Sequence, residues 1–308
     1  MKEEKIVIGE RYPLDGILTL PSKGEAPFPT VVLVHGSGAV DMDSKVHRIR
    51  PFKDIAEGLA EMGIATIRYH KRTFSYRKQM RKDFPKNLTV HEETIEDAVF
   101  ATEFLRNDSR INSDKVYIAG HSMGGALAPR IDASGGNFAG IAILAGSPRT
   151  LDEIAMKQQD DFLETANGFV RLLLRKQITK IRANFARMHD MTDAEAMDIK
   201  VGGGMTCYYF KDFGRKRVRE YLHNHEKPML VMHAEMDLQA LVKEDFEAYQ
   251  DILKDHPDAT FKRYAGLNHV FMPTTNTDIN KTIKEYKTPA NVSEEVINDL
   301  AKWVLSHE

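Results

Sequence analysis

Cysteine is almost absent from this chain. Cys207 is the single one among 308 residues, so no disulfide can close within the chain, and the composition suits a reducing compartment. Long apolar runs are missing as well. No stretch approaches the ~18 uninterrupted apolar residues of a membrane helix, so stable membrane insertion is not expected. The first residues, Met1-Lys2-Glu3-Glu4-Lys5, carry both signs of charge with no apolar run behind them. That is unlike a secretory leader, and a cytoplasmic location is the expectation. Net charge is small too. Lys and Arg number 43 against 45 Asp and Glu, a formal −2, which supplies no global field for nucleic acid. Repeats and low-complexity segments are also lacking.

What the chain does have is enough apolar material for a real core. Hydrophobic residues make up 42% and charged residues 29%, enough for a core under an ordinary soluble surface. Ile6-Val7-Ile8 and Gly16-Ile17-Leu18-Thr19-Leu20 read as an N-terminal hairpin. Val31-Val32-Leu33-Val34 is a continuous apolar run, as a strand buried on both faces requires. Helix is expected over 51–62, 92–106, 123–132 and 293–306. Strands are expected at 65–69, 116–120, 140–144, 229–232 and 260–264. Strands alternating with helices indicate a mostly parallel sheet covered on both faces.

That alternation stops between residues 151 and 227, where no strand is evident. Val170, Leu174, Ile178, Ile181, Phe185 and Met188 recur every three or four residues there, giving one apolar stripe along a helix over 169–189. Arg171, Arg175, Lys176, Lys180, Arg182 and Arg187 fill much of the other surface. The expected organisation is therefore an α/β core over 1–150 and 228–308 with a helical cap, 151–227, inserted into it. The stripe either closes the cap over the sheet or pairs two copies as a homodimer; both readings stand. The basic face reads as solvated surface, with steering of an acidic substrate or an anionic lipid surface as the rarer use.

The chemistry-bearing stretch is Gly120-His121-Ser122-Met123-Gly124. It follows the apolar run Val116–Ala119 and precedes Gly125-Ala126-Leu127-Ala128. A G-x-S-x-G in that setting is a nucleophile elbow, a tight turn that lifts a serine hydroxyl above a sheet. Such a serine needs a general base and an acid to orient the base, in chain order Ser, Asp or Glu, His. His233-Ala234-Glu235-Met236-Asp237 follows the 229–232 strand, making Asp237 the first choice of acid and Glu235 the second. Of the 12 histidines, His256, His269 and His307 lie beyond Asp237. His256 precedes the next strand and His307 ends the chain, which leaves His269, in Gly266-Leu267-Asn268-His269, as the base. The oxyanion donors are expected at the Met123 N–H and in His35-Gly36-Ser37-Gly38, at the Ser37 N–H with Gly38 as the alternative.

With these residues in view, the chain resembles an α/β-hydrolase of the dienelactone-hydrolase-like esterase group, within the prolyl-oligopeptidase-related clan. The matching stretches are His35–Gly38, Arg68-Tyr69-His70-Lys71-Arg72, Gly120–Gly125, His233–Asp237 and Leu267–His269. The resemblance implies an eight-stranded, mostly parallel sheet and a Ser122–His269–Asp237 triad. It also implies a serine carboxylesterase, with cinnamoyl and feruloyl esterases among its relatives. Two departures stand out. Dienelactone hydrolases proper use cysteine where Ser122 stands, and the Arg68–Arg72 stretch often carries Asp at His70. Peptidases of the clan usually carry an N-terminal propeller, for which the residues before Val31 leave no room, so esters are favoured over amides. Thioesters and acyl transfer stay open, as does a non-catalytic binding protein on the same fold.

No cofactor and no metal are expected. His223 and His225 point to different faces if helical, with no third ligand. Gly202-Gly203-Gly204 lacks the Lys-Ser/Thr of a phosphate loop and reads as a joint in the cap. His121 reads as packing, and His35 as a brace for the oxyanion loop. Phe169, Tyr208 and Tyr209 are the candidate acyl-pocket residues. The expected partner is a small-molecule ester.

Overall fold

The computed structural model describes residues 1–165, 168–202 and 204–307. Two compact units emerge: one of residues 1–77, 93–148 and 218–308, the other of 78–92 and 149–217.

The first unit is built on eight strands. They are β1 (Lys2–Ile8), β2 (Leu14–Leu20), β3 (Phe28–Val34), β4 (Ala65–Tyr69), β5 (Ile111–His121), β6 (Ile141–Leu144), β9 (Met229–Ala234) and β10 (Ala259–Tyr264). Two short strands of the second unit, β7 (Lys200–Gly202) and β8 (Met205–Thr206), fall between β6 and β9 in the chain. The sheet order is β1-β2-β4-β3-β5-β6-β9-β10. β2 runs against both its neighbours, and the remaining pairs are parallel. Central strands such as β3 and β6 are apolar because they are covered on both faces. The edge strands differ. β1 carries Lys2, Glu3, Glu4 and Lys5, and β10 exposes Lys262 and Arg263.

Amphipathic helices cover the sheet. Pro51–Glu61 buries Phe52, Ile55, Ala56 and Leu59, the i, i+3, i+4, i+7 stripe of a packed helix. Glu294–Ser306 buries Val296, Ile297, Leu300, Ala301, Trp303 and Val304. Both join one core cluster with Val31, Leu33, Tyr117, Leu144 and Met232. Each such side chain contributes roughly 1.5–3 kcal/mol on burial, so this layer holds the sheet ends in place. Val34 pairs with Gly120, Gly120 with Ile143, Ile143 with Val231 and Val231 with Phe261. That line across the sheet brings the loops after β3, β5, β9 and β10 to one edge, the usual ligand-binding edge of an open parallel sheet.

The second unit has helices Leu151–Thr165, Gly168–Arg187, Asp193–Asp198 and Cys207–Gly214. Phe185, Met188, Ala196, Cys207, Tyr209, Phe210 and Phe213 form its interior, with the Phe185 and Phe210 rings 4.9 Å apart. Thr192 and Glu195 close a capping box at the start of Asp193–Asp198. Residues 78–92 join through the Thr206 hydroxyl, which donates to the Lys86 carbonyl at 2.9 Å. The boundaries differ from the expected 151–227. Val218–Leu222 lies in the first unit, where Val218 and Leu222 are buried. The expected absence of strands is corrected too, since β7 and β8 pair antiparallel. Gly202 therefore ends the first strand of this pair, and Gly204 precedes the second. Three residues and two are too short for apolar alternation to register.

Candidate active site

The elbow exists as a strained turn. β5 delivers His121, and Ser122 then adopts φ 55° and ψ −120° as N-cap of the Met123–Ile131 helix. A non-glycine residue at positive φ costs of order 1–3 kcal/mol, so neighbours must enforce it. The Ser122 N–H donates to the Leu144 carbonyl at 2.8 Å, and its own carbonyl accepts from Ala126 N–H at 3.1 Å. Glycine is required on both sides by contact. A side chain on Gly120 would land on the Gly124 carbonyl, and one on Gly124 on the carbonyls of Val34 and His35.

Asp237 and His269 arrive from the loops after β9 and β10. His269 Nδ1 lies 2.7 Å from Asp237 Oδ2. The other carboxylate oxygen accepts from Gln239 N–H at 2.7 Å and Ala240 N–H at 3.0 Å. Burial pushes the Asp237 carboxyl up, but the charge and hydrogen bond of His269 and the two N–H donors outweigh it and hold the group below its ordinary value. The turn carrying His269 is fixed by Asn268, whose Oδ1 accepts from Val270 N–H and Met272 N–H at 3.1 Å. The loops are also tied together, Met236 N–H donating to the Leu267 carbonyl at 3.0 Å. Glu235, the second choice of acid, pairs instead with Arg263 at 2.7 Å.

The loop after β3 meets the elbow directly. Gly36 packs so close to Ser122 that a side chain on it would come within 3.0 Å of Ser122 Cβ and 3.5 Å of Oγ. The Ser37 hydroxyl lies 3.4 Å from the Met123 sulfur, so the two expected oxyanion residues are adjacent. Gly38 has φ +92° and open space around it. His35 is buried, its Nε2–H donating to the Asp41 carbonyl at 3.0 Å. Burial takes its imidazole down to about 3, the charge of Lys71 adding to the fall. His70 accepts the Met42 N–H on Nδ1 at 3.0 Å, so an imidazole braces this loop. Lys71 reaches the same loop, with Nζ 2.8 Å from the Gly36 carbonyl and 2.8 Å from Glu93 Oε1.

Two contributors were not legible in the sequence. His121 is more than packing: its Nε2–H donates to the His269 carbonyl at 2.8 Å, with the rings 4.8 Å apart. Burial pushes its imidazole down to about 4, His269 nearby contributing. It therefore stays neutral near pH 7 and adds no charge beside His269. Lys71 with Glu93 is the second. Arg68, Lys71 and Arg72 are all buried, and no pattern in the sequence betrays which of these cations reaches the loop.

Tyr209 is buried inside the second unit, and Tyr208 lies under the Arg215 guanidinium at 5.6 Å. The side chain of Phe169 and residue Gly203 lie outside the described residues. His225 lies 3.6 Å from Asp132 and stacks on His256 at 6.0 Å. Among the described residues no group of three or more His, Cys, Asp or Glu is placed to hold a metal, and no helix is long and apolar enough to cross a membrane.

Comparison with known proteins follows the same lines. Residues 27–148, which include the β3 loop and the elbow, match the model of an alpha/beta hydrolase domain. Esterase EstD of Thermotoga maritima is 32% identical over 292 residues, 95% of this chain. The chain spans 65% of that relative's length. Est1E from Butyrivibrio proteoclasticus superposes with a TM-score of 0.58 at 14% identity, over 98% of this chain and 99% of that one. A proline iminopeptidase from Mycobacterium smegmatis gives 0.59 at 15% identity, over 99% and 98%.

Proposed function

From the premise that this chain has the α/β-hydrolase fold, we propose that it is a serine carboxylic-ester hydrolase working through an acyl-enzyme. The observation that carries the reading is the strained Ser122 elbow at the sheet edge to which the buried Asp237–His269 pair is also delivered. The similarity to esterase EstD supports it.

In the proposed reaction Ser122 Oγ attacks the ester carbonyl while His269 Nε2 takes its proton. Asp237 holds Nδ1–H, fixes the tautomer and stabilises the imidazolium. The Ser37 and Met123 N–H groups receive the oxyanion. His269 then protonates the leaving alcohol. Water adds to the acyl-enzyme by the reverse proton path and releases the acid. The chain itself supplies every group this scheme uses. Small to medium or aromatic acyl esters are the proposed substrates.

The test is Ser122→Ala, assayed with an aryl ester, an anilide and an acyl-CoA, and labelled with a fluorophosphonate. Wild type should label and turn over the aryl ester many times, and the variant should lose both by several orders of magnitude with its fold intact. Wild-type ester turnover in the variant would sink the assignment. Faster turnover of the anilide or the thioester by wild type would move it to amidase or thioesterase.

A further inference from the structure

Lys71 is 2% exposed, and its ammonium is spent on two acceptors: the Glu93 carboxylate and the Gly36 carbonyl, each at 2.8 Å. A buried cation is costly unless paired, and Glu93 alone would have met that need. The second bond goes to the one peptide whose other end matters. The Gly36 carbonyl and the Ser37 N–H belong to a single planar unit, and that bond is trans, since the cis bond described in the chain is Ala26–Pro27. In a trans peptide the C=O and N–H point in opposite directions. Fixing the oxygen therefore aims the hydrogen. A cation on the oxygen also draws electron density along the unit and makes the N–H a better donor.

We propose that Lys71 is the positioning residue of the oxyanion site: neutralised by Glu93, it grips the Gly36 carbonyl and so aims and polarises the Ser37 N–H. This inference rests on the proposed ester chemistry and on Ser37 as an oxyanion donor. The surrounding bonds agree with the role. The Lys71 N–H donates to the Val40 carbonyl at 3.2 Å, and His70 accepts from Met42 N–H. The segment after β4 thus holds the loop at Gly36 and again at Val40 and Met42, and Gly36 itself packs against Ser122. Polarisation helps most when negative charge has formed on the substrate oxygen, so the effect belongs to the transition state rather than to substrate binding.

The experiment compares wild type with Lys71→Met and Lys71→Met/Glu93→Gln. The double variant leaves no buried charge unpaired, so a misfolded single variant does not end the test. Each is assayed for kcat and KM on an aryl acetate, and for inhibition by an aryl trifluoromethyl ketone, whose adduct carries an oxyanion, and by the methyl ketone that forms none. In both Lys71 variants kcat should fall about 10–100-fold, less than the 10²–10³ of deleting a donor outright. KM should stay within about twofold. Trifluoromethyl ketone affinity should fall in parallel with kcat while methyl ketone affinity holds. Wild-type kcat and trifluoromethyl ketone affinity in a folded double variant would overturn the inference, as would equal losses for both ketones. Ser122→Ala separates the levels. If it is dead while the double variant is unaffected, only the Lys71 role falls; if it is active, the ester chemistry falls first.

Discussion

Replacing His121 by Gln should change how the protein responds to acid. Gln places an N–H near the position of His Nε2, so the bond to the His269 carbonyl can be kept while the titrating ring is removed. In the fold the ring is held neutral down to about 4, from an ordinary 6.5, mainly by burial. The sign follows from proton uptake. Below about 6.5 the unfolded chain binds a proton on His121 that the folded chain refuses, so stability contributed by the neutral ring is whole above that value and drains as pH falls. Each pH unit between the two values removes about 1.4 kcal/mol, so the loss approaches ~3 kcal/mol by pH 4. Wild type and variant share every other titrating group, including His35 and Asp237, and the difference between them isolates this ring. The assay is urea unfolding at pH 7.5, 6, 5 and 4.5. It is followed by the emission of Trp303, the single tryptophan, which packs 5.5 Å from Tyr117 in the first unit. The variant should gain on wild type by about 1.4 kcal/mol for each pH unit below 6.5. Parallel stability curves from pH 7.5 to 4.5 would refute the neutral His121 ring.

Two further outcomes are expected. Asp237→Asn should lower kcat about 10⁴-fold, as loss of the orienting acid does in such triads, while the fold survives; a drop of less than tenfold on an aryl ester would remove Asp237 from the mechanism. Arg72 is buried, pairs with Glu96 at 2.5 Å and donates through Nε to Asp97 at 3.0 Å. Arg72→Met strands the Asp97 carboxylate and should cost about 3–5 kcal/mol in urea unfolding, whereas Arg72→Met/Asp97→Leu should recover most of it; equal losses in both would refute the pairing argument.

Much of the core was legible because periodicity survives burial on both faces. β3, β6 and β9 are apolar runs, and chain order together with these strands pointed to Asp237, ahead of Glu235, and to His269 after Ser122. The edges of elements were less so. β5 begins at Ile111 and runs through polar Asn112, Ser113 and Asp114, held by pairing of Phe28 with Ile111 rather than by any apolar pattern. Residues 78–92 join the second unit through contacts that a charged, aperiodic stretch does not announce. His121 and Lys71 were hidden for another reason. Each acts by donating to a backbone carbonyl far along the chain, at His269 and at Gly36, and carbonyls look alike in every residue. A side chain's partner becomes visible only when the fold brings that carbonyl to it.

The charged edge strands bear on how the protein behaves when concentrated. An open sheet edge offers a row of unpaired N–H and C=O groups on which another copy's strand can grow. Here the charges on both edges are already engaged within the chain: Lys2 with Glu4 at 2.7 Å, Lys262 with Asp299 at 3.4 Å and Arg263 with Glu235 at 2.7 Å. A strand arriving at the ~4.8 Å spacing of a ladder must dehydrate or break those pairs before its main-chain bonds form. Stacking of sheets into fibrils is therefore opposed at both ends, and the opposition weakens as added salt shortens the range of the charges.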